Sequence, residues 1–341
     1  MKKLSLLFIG GLLSFSAMAA TGDSFIYNGI KYTVLDESAK TVTTASGYDL
    51  NDEYFPGNTF SGALVLPSKV ENNGVTYTLT EVGENGFSDQ KGITSVEIPN
   101  TVEVLGAYAF IECNNLISVK LPASVKDIGS SGFGQCQSLS KLYIEDLASF
   151  SEIDFHSSKA NHLYYGADLY LNGEIVTELV VPDGVVKIGD YAFYGWQALT
   201  SAEISNSVKE IGNRAFAGCA NLKNVIIGSS VSLIESDGFS DCMNIVEIKV
   251  LATVPPQIDD DTFSDYSAVL LVPEGSIDAY RNSEYWKYFT NIQEFAGIKN
   301  VNAENDKTNT IYKLNGVQVQ DNSSVLSPGI YIISGQKVLV K

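Results

Sequence analysis

The chain has 341 residues, 45% of them hydrophobic, 11% aromatic and 18% charged, with 29 Gly and 9 Pro; it is too apolar for a disordered chain and too poor in Pro for a collagen-like one. Forty acidic against 22 basic residues leave a net charge of −18, and no Lys/Arg run builds the positive surface that nucleic acid or an anionic bilayer requires. Two histidines, His156 and His162, without a spaced Cys/His cluster, argue against a transition-metal site and leave no cofactor implied.

Residues 1–19 read as a signal peptide. Lys2 and Lys3 form the positive start, Leu4 to Leu13 the apolar core, and Ala17-Met18-Ala19 the small-x-small cleavage signal. The apolar run is too short to span a bilayer, and no later stretch reaches about 18 apolar residues. The expectation is an exported protein with no membrane span. Residues 20–78 then alternate as strands do (Phe25-Ile26-Tyr27, Tyr32-Thr33-Val34, Leu64-Val65-Leu66), broken by Asn28-Gly29 and Asn73-Gly74, which read as hairpin turns. This part is assigned as an N-terminal β cap.

From 79 to 273 a 23-residue period takes over. Phe87, Phe110 and Phe133 are 23 apart, as are Phe193, Phe216 and Phe239. Five residues ahead of each stands an aliphatic residue, followed by Gly83, Gly106, Gly129, Gly189 or Gly212, with Glu235 the exception. Behind each Phe comes a pair of apolar residues two apart, such as Val96/Ile98, Val119/Leu121 and Val225/Ile227. Spacing of two is the strand period, so these pairs point inward and their neighbours outward. The Gly-to-Phe stretch is the opposite edge of the coil, where Gly is expected to allow a turn and Phe to plug the interior. A unit this small cannot bury its apolar face alone, so the fold expected is a mainly β solenoid of right-handed stacked coils with short helical turns. The residue after each pair steps from Pro67 to Pro273 in nine rungs, an array roughly 40 Å long at about 4.8 Å per rung.

One step, from Glu145 to Pro182, is 37 residues long. It is read as a rung extended over 148–184, with a loop packed by its own tyrosines. Cys113, Cys136, Cys219 and Cys242 each fall three residues after a repeat Phe. Two disulfides are conceivable in an exported protein, but the shared phase favours one column of buried thiols, with Trp196 in the same column. Asp259-Asp260-Asp261 resembles a calcium ligand run, yet it occupies an ordinary coil turn without the Gly an EF-hand needs.

After Pro273, Ser276 can N-cap a short helix to about Tyr288, with Tyr280, Tyr285 and Trp286 facing the last coil; 274–296 is therefore a C-terminal helical cap. Residues 297–309 read as a polar linker. Residues 310–341 read as a small β tail, with hairpin signals at Asn315-Gly316 and Ser334-Gly335.

The segment from Val208-Lys209-Glu210-Ile211-Gly212 through Cys219 to Ile227 resembles the BspA-like leucine-rich repeat, as do the other in-phase units over 79–147 and 176 to about 273. Trp196 in the Cys slot, Glu235 for Gly, and Ser131-Gly132 and Asp237-Gly238 are local departures from it. The resemblance implies a leucine-rich-repeat solenoid in a secreted or surface protein of a host-associated bacterium, with adhesion to host matrix proteins or other cells as a family theme. The tail, with Leu314-Asn315-Gly316, Gly329-Ile330-Tyr331 and a terminal Lys337-Val338-Leu339-Val340-Lys341, resembles the sorting tail of type IX secretion cargo.

No G-x-S-x-G elbow, H-E-x-x-H, C-x-x-C or phosphate-cradling G-x-x-x-x-G-K is present, so no catalytic residues are assigned. The first candidate surface is the outward strand face, with Glu97, Lys120 and Tyr143 followed by Glu203 and Lys249, beside Lys141, Asn224 and Glu247. The second is the excursion, with His156, His162, Tyr164 and Tyr165 near Asp154 and Asp168. The expected function is non-enzymatic recognition of an extracellular protein (host matrix, mucin or another cell). Glycan binding or processing in the excursion is the alternative, and the oligomeric state is left open.

Overall fold

The computed structural model describes residues 19–45, 60–295, 311–313, 329–333 and 336–340. The leader up to residue 18, the linker at 297–309 and the Asn315-Gly316 and Ser334-Gly335 turn signals lie outside the described residues.

The repeat units close into a β-solenoid of about nine turns of roughly 23 residues. Each regular turn contributes one longer strand and one two-residue strand. The longer strands stack in parallel, with Ser95, Ser118 and Lys141 in one register row and Glu97, Lys120 and Tyr143 in another. Ser201, Asn224 and Glu247 repeat the pattern further along. In the regular turns a step of 23 along the chain is one rung in space, so side chains there lie beside their own counterparts.

That stacking makes the core. Phe87, Phe110 and Phe133 are buried and lie 5.2 and 5.5 Å apart, centroid to centroid, with planes inclined by 7°. Phe193, Phe216, Phe239 and Phe263 form a second stack at 5.2, 5.0 and 5.5 Å. The rung spacing places successive rings at the distance offset-stacked aromatics prefer. The four cysteines are free and buried. Each thiol donates to the carbonyl of a Phe in the preceding turn: Cys113 to Phe87 at 3.1 Å, Cys136 to Phe110 at 3.0 Å, Cys219 to Phe193 at 3.1 Å and Cys242 to Phe216 at 3.0 Å. Trp196 is buried as well.

The repeat glycines serve a different purpose from the turn expected of them. Gly83, Gly106, Gly129, Gly189 and Gly212 are outside the left-handed region. A Cβ on Gly106 would lie 2.6 Å from the Glu84 amide nitrogen, and one on Gly189 would lie 2.1 Å from the Ile153 carbonyl oxygen. Glycine is there because neighbouring turns touch backbone to backbone. The left-handed bend comes two residues later, at Asn85, Tyr108, Ser131, Tyr191, Arg214 and Asp237, with φ between 53° and 58°. That conformation aims several of their amides at the next turn, as in Tyr108 N–H to Ser130 O (3.0 Å) and Tyr191 N–H to Asn213 O (2.9 Å). These inter-turn bonds offset the strain of a positive φ.

The long step at 148–184 holds more than a loop. Asp146 caps the helix Leu147–Ser151 through Ser149 N–H at 2.7 Å, and Asp154–Phe155 joins the short-strand sheet. Asp168–Leu171 then pairs in parallel with Lys141–Ile144 as a further rung strand, and Glu174–Ile175 folds back antiparallel to it. The next strand, Glu178–Val180, pairs only with Ser201–Glu203 among the named strands. The longer strands therefore form two six-stranded sheets, divided at this hairpin.

At the N-terminal side, Asn28-Gly29 and Asn73-Gly74 take φ of 48° and 80° and of 50° and 79°, the left-handed pair that a two-residue hairpin turn needs. The strands they join lead into the short-strand sheet, where Thr41–Thr44 pairs in parallel with Val75–Val82. At the other side the helix is shorter than expected, Ile277–Asn282, followed by a 3-10 turn at Trp286–Tyr288. Ser276 does not cap it; its hydroxyl donates to Pro273 O. Glu294 supplies the acceptor instead, taking Ile277 N–H at 3.4 Å and, ahead of the helix, Gly275 N–H at 2.9 Å. Glu294 lies in the strand Asn291–Phe295, which pairs in parallel with Val269–Pro273 and was not anticipated. Tyr280 and Trp286 are buried, donating to Ala252 O at 2.7 Å and Pro256 O at 2.8 Å, whereas Tyr285 stays partly exposed. The tail forms three antiparallel strands, Ile311–Lys313, Gly329–Ile333 and Gln336–Val340.

Candidate functional site

The strand face carries its candidates in two groups, one on each sheet. On the first, Lys120 Nζ meets Glu97 Oε1 at 2.8 Å with both side chains about half exposed. The hydrogen bond to Glu97 raises the Lys120 pKa, but an exposed pair of this kind contributes little to stability. Next to it Tyr143 packs on Tyr170 at 4.9 Å, and Lys141 Nζ stands 6.0 Å from the Tyr170 ring. Tyr170 is a surface aromatic that sequence reasoning did not place on this face, because it follows Tyr143 by 27 residues rather than 23. On the second sheet Glu203, Asn224 and Glu247 are exposed, and Lys249 Nζ lies 4.3 Å over the Phe295 ring supplied by the last strand.

The excursion keeps His156, Asp154 and Asp168 with separate partners. His156 is exposed, with Nε2 2.8 Å from Asp127 Oδ2 on the short-strand side. Asp154 accepts Asp190 N–H at 3.1 Å and faces Lys187 at 3.9 Å. Asp168 belongs to the strand face, in register with Lys141. Asp261, of the acidic run, accepts from Ser236 Oγ at 2.6 Å and Asp237 N–H at 3.2 Å. Among the described residues no group of three or more His, Cys, Asp or Glu could hold a metal ion, and no helix is long and apolar enough to cross a membrane.

His162 differs from the surface contact expected of it. Only 3% of it is exposed, and its Nε2 sits 2.8 Å from Phe133 O, a partner that requires Nε2 to carry the hydrogen. Burial pushes its pKa down to about 4, outweighing the backbone hydrogen bonds that act upward. An unfolded chain binds a proton near pH 6.5 that the folded one refuses until about pH 4. Stability from this group is thus present above pH 6.5 and is lost on acidification through that window, by up to about 3 kcal/mol. Urea denaturation at pH 7 and pH 4 checks this: His162→Gln should shrink the difference between the two midpoints, and an unchanged difference would refute it.

Next to His162, Tyr164 and Tyr165 are exposed at the end of a 3-10 turn, His162–Tyr165. Tyr164 packs on Tyr194 of the following coil at 4.9 Å, and Tyr194 on Tyr191 at 5.5 Å. These two coil tyrosines were not among the candidates, since nothing in the repeat phase marks where the excursion touches the coil. A separate groove of about 680 Å³ lies between Ser229–Ser232, Ala252–Asp259 and Ser283–Tyr285.

Among curated proteins no relative matches the chain. Solved structures with a similar fold include a T. pallidum leucine-rich repeat protein, 20% identical over 78% of this chain and 93% of its own, with a TM-score of 0.37. A leucine-rich repeat protein from Bacteroides ovatus is 17% identical over 81% and 91%, with a TM-score of 0.36. The pneumococcal vaccine antigen PcpA is 16% identical over 81% and 100%, with a TM-score of 0.28. The BspA type leucine-rich repeat region matches in six copies across residues 66–174 and 166–271. With more than half of its length so matched and its coils stacked in that register, the chain belongs to the BspA-type leucine-rich repeat family.

Proposed function

We propose that this is a non-enzymatic, exported surface protein that recognises another extracellular protein, on host matrix, mucin or a neighbouring cell, through the strand face of its solenoid. The observation that carries this reading is the pair of register-locked sheets, which hold outward side chains in fixed rows on a rigid scaffold. Such a face binds by many contacts spread over several repeats. Family membership supports a recognition role, and the leader-like N-terminus supports export.

Immobilised host matrix proteins and mucins probed with the mature chain provide the test. Changing Glu97, Lys120, Lys141 and Tyr143 together to Ala should weaken binding about tenfold or more, chiefly through the tyrosine. Unchanged binding by this folded variant removes the strand face as the contact surface.

The β tail at 310–341 is proposed as a sorting or anchoring appendage. Deleting it should move the protein from the cell surface to the medium; retention at the surface after deletion would refute that role.

A further inference from the structure

We infer that Tyr164, Tyr165 and Tyr194 form a second binding site, independent of the strand face, that stacks on the sugar rings of an uncharged glycan. The rings make a continuous aromatic patch: Tyr164 and Tyr165 are edge to face at 5.1 Å, and Tyr164 meets Tyr194 at 4.9 Å. Tyr164 is 47% exposed and Tyr165 49%, so each presents much of its surface to water. The patch is local to this turn. The positions matching Tyr194 in the other regular coils are Ser88, Ile111, Gly134, Ala217 and Ser240, which give no comparable ring.

The platform is held from beneath. Buried Asn161 donates to Tyr191 O at 2.9 Å and Ala192 O at 2.8 Å, and accepts from Leu163 N–H at 3.0 Å. Buried His162 ties the same 3-10 turn to Phe133 O and packs 5.0 Å from the Tyr165 ring. Gly195, with φ of 66°, lets Tyr164 lie directly on the coil, since a Cβ there would be 2.5 Å from Tyr164 Cδ2. Rings fixed before contact lose little freedom on binding, which suits a small ligand of modest gross affinity.

The chemistry selects the ligand class. A tyrosine offers an apolar face with a hydrogen-bonding tip, and a pyranose offers a C–H face with a hydroxyl rim. A standard protein interface covers about 800 Å² per partner, more than three partly exposed tyrosines present. Arg214, the cation that acts on Tyr194 alongside Asp241, is paired with Asp237 at 2.8 Å, and the chain carries a net charge of −18. Together these disfavour sialylated or sulfated chains, leaving neutral hexose and N-acetylhexosamine polymers.

The probes are an N-acetyllactosamine hexasaccharide, a β-1,4-glucan hexasaccharide, an α-mannan and a sialylated N-acetyllactosamine, each titrated against the full mature chain by calorimetry and tyrosine fluorescence. At least one neutral probe should bind, and Tyr165→Ala should weaken it about tenfold. Tyr165→Phe should retain most of the affinity, and so should the strand-face variant Tyr143→Ala. Thermal unfolding of Tyr165→Ala at the wild-type temperature separates lost contact from lost fold. Failure of all neutral probes, preference for the sialylated one, or binding indifferent to Tyr165→Ala overturns the proposal while leaving the strand-face reading intact.

Discussion

Phe216→Ala is expected to destabilise the solenoid by about 3–5 kcal/mol, the range for deleting a buried aromatic ring. Phe216 is fully buried between Phe193 at 5.2 Å and Phe239 at 5.0 Å. Neither neighbour can slide into the vacated space, because the backbone of each is tied to the turn that follows it. Phe193 N–H bonds Ala215 O at 2.8 Å, and Phe239 N–H bonds Thr262 O at 2.9 Å. The cavity therefore stays open and its lining loses contacts. In a stack whose turns touch only their neighbours, the damage also weakens the coupling between the two sides. Urea unfolding followed by circular dichroism should show a lower midpoint and a broader transition. A loss below about 1 kcal/mol would mean that the turns do not share a core.

Gly189→Ala is the second large effect, with an expected loss of about 3 kcal/mol from overpacking. Its Cβ would stand 2.1 Å from Ile153 O and 2.6 Å from Ile153 C. Both are backbone atoms of the preceding turn, so relief requires separating two rungs. Gly189 is not in the left-handed region, so alanine's own conformational preferences contribute nothing to this loss. Gly173→Ala is the matching control. There φ is 85° and nothing lies within 4 Å of the added Cβ, so only the left-handed penalty of roughly 1–2 kcal/mol applies. Thermal unfolding of both variants distinguishes the causes. If Gly173→Ala proves the more damaging, backbone conformation and not rung contact governs the repeat.

Much of the candidate surface was legible before any coordinates. Glu97 beside Lys120, and Asn224 beside Glu247, follow from a spacing of 23 once the strand period is recognised. The cysteine column was legible for the same reason, since a shared phase means a shared direction. The strand Asp168–Leu171 was not. Its Leu169 and Leu171 have the inward spacing, but they fall 27 residues after Leu142 and Ile144, outside the phase that identified the rest. The strand that ends the second sheet, Asn291–Phe295, is hidden behind a helix and a 3-10 turn that break the period. Consequently Tyr170 and Phe295, which pack against Tyr143 and Lys249, entered the face only with the fold.

The amino-acid order by itself determined the repeat length, the inward and outward rows, the stacked Phe column and the acidic, cation-poor surface, because each depends on local periodicity or on composition. Tertiary structure alone decided the division of the strand face into two sheets, the burial of His162, the reason for the repeat glycines and the meeting of Tyr164 with Tyr194. Those features depend on how close one turn lies to the next. That distance is set by backbone contacts between residues 22 to 36 positions apart, which no local pattern encodes.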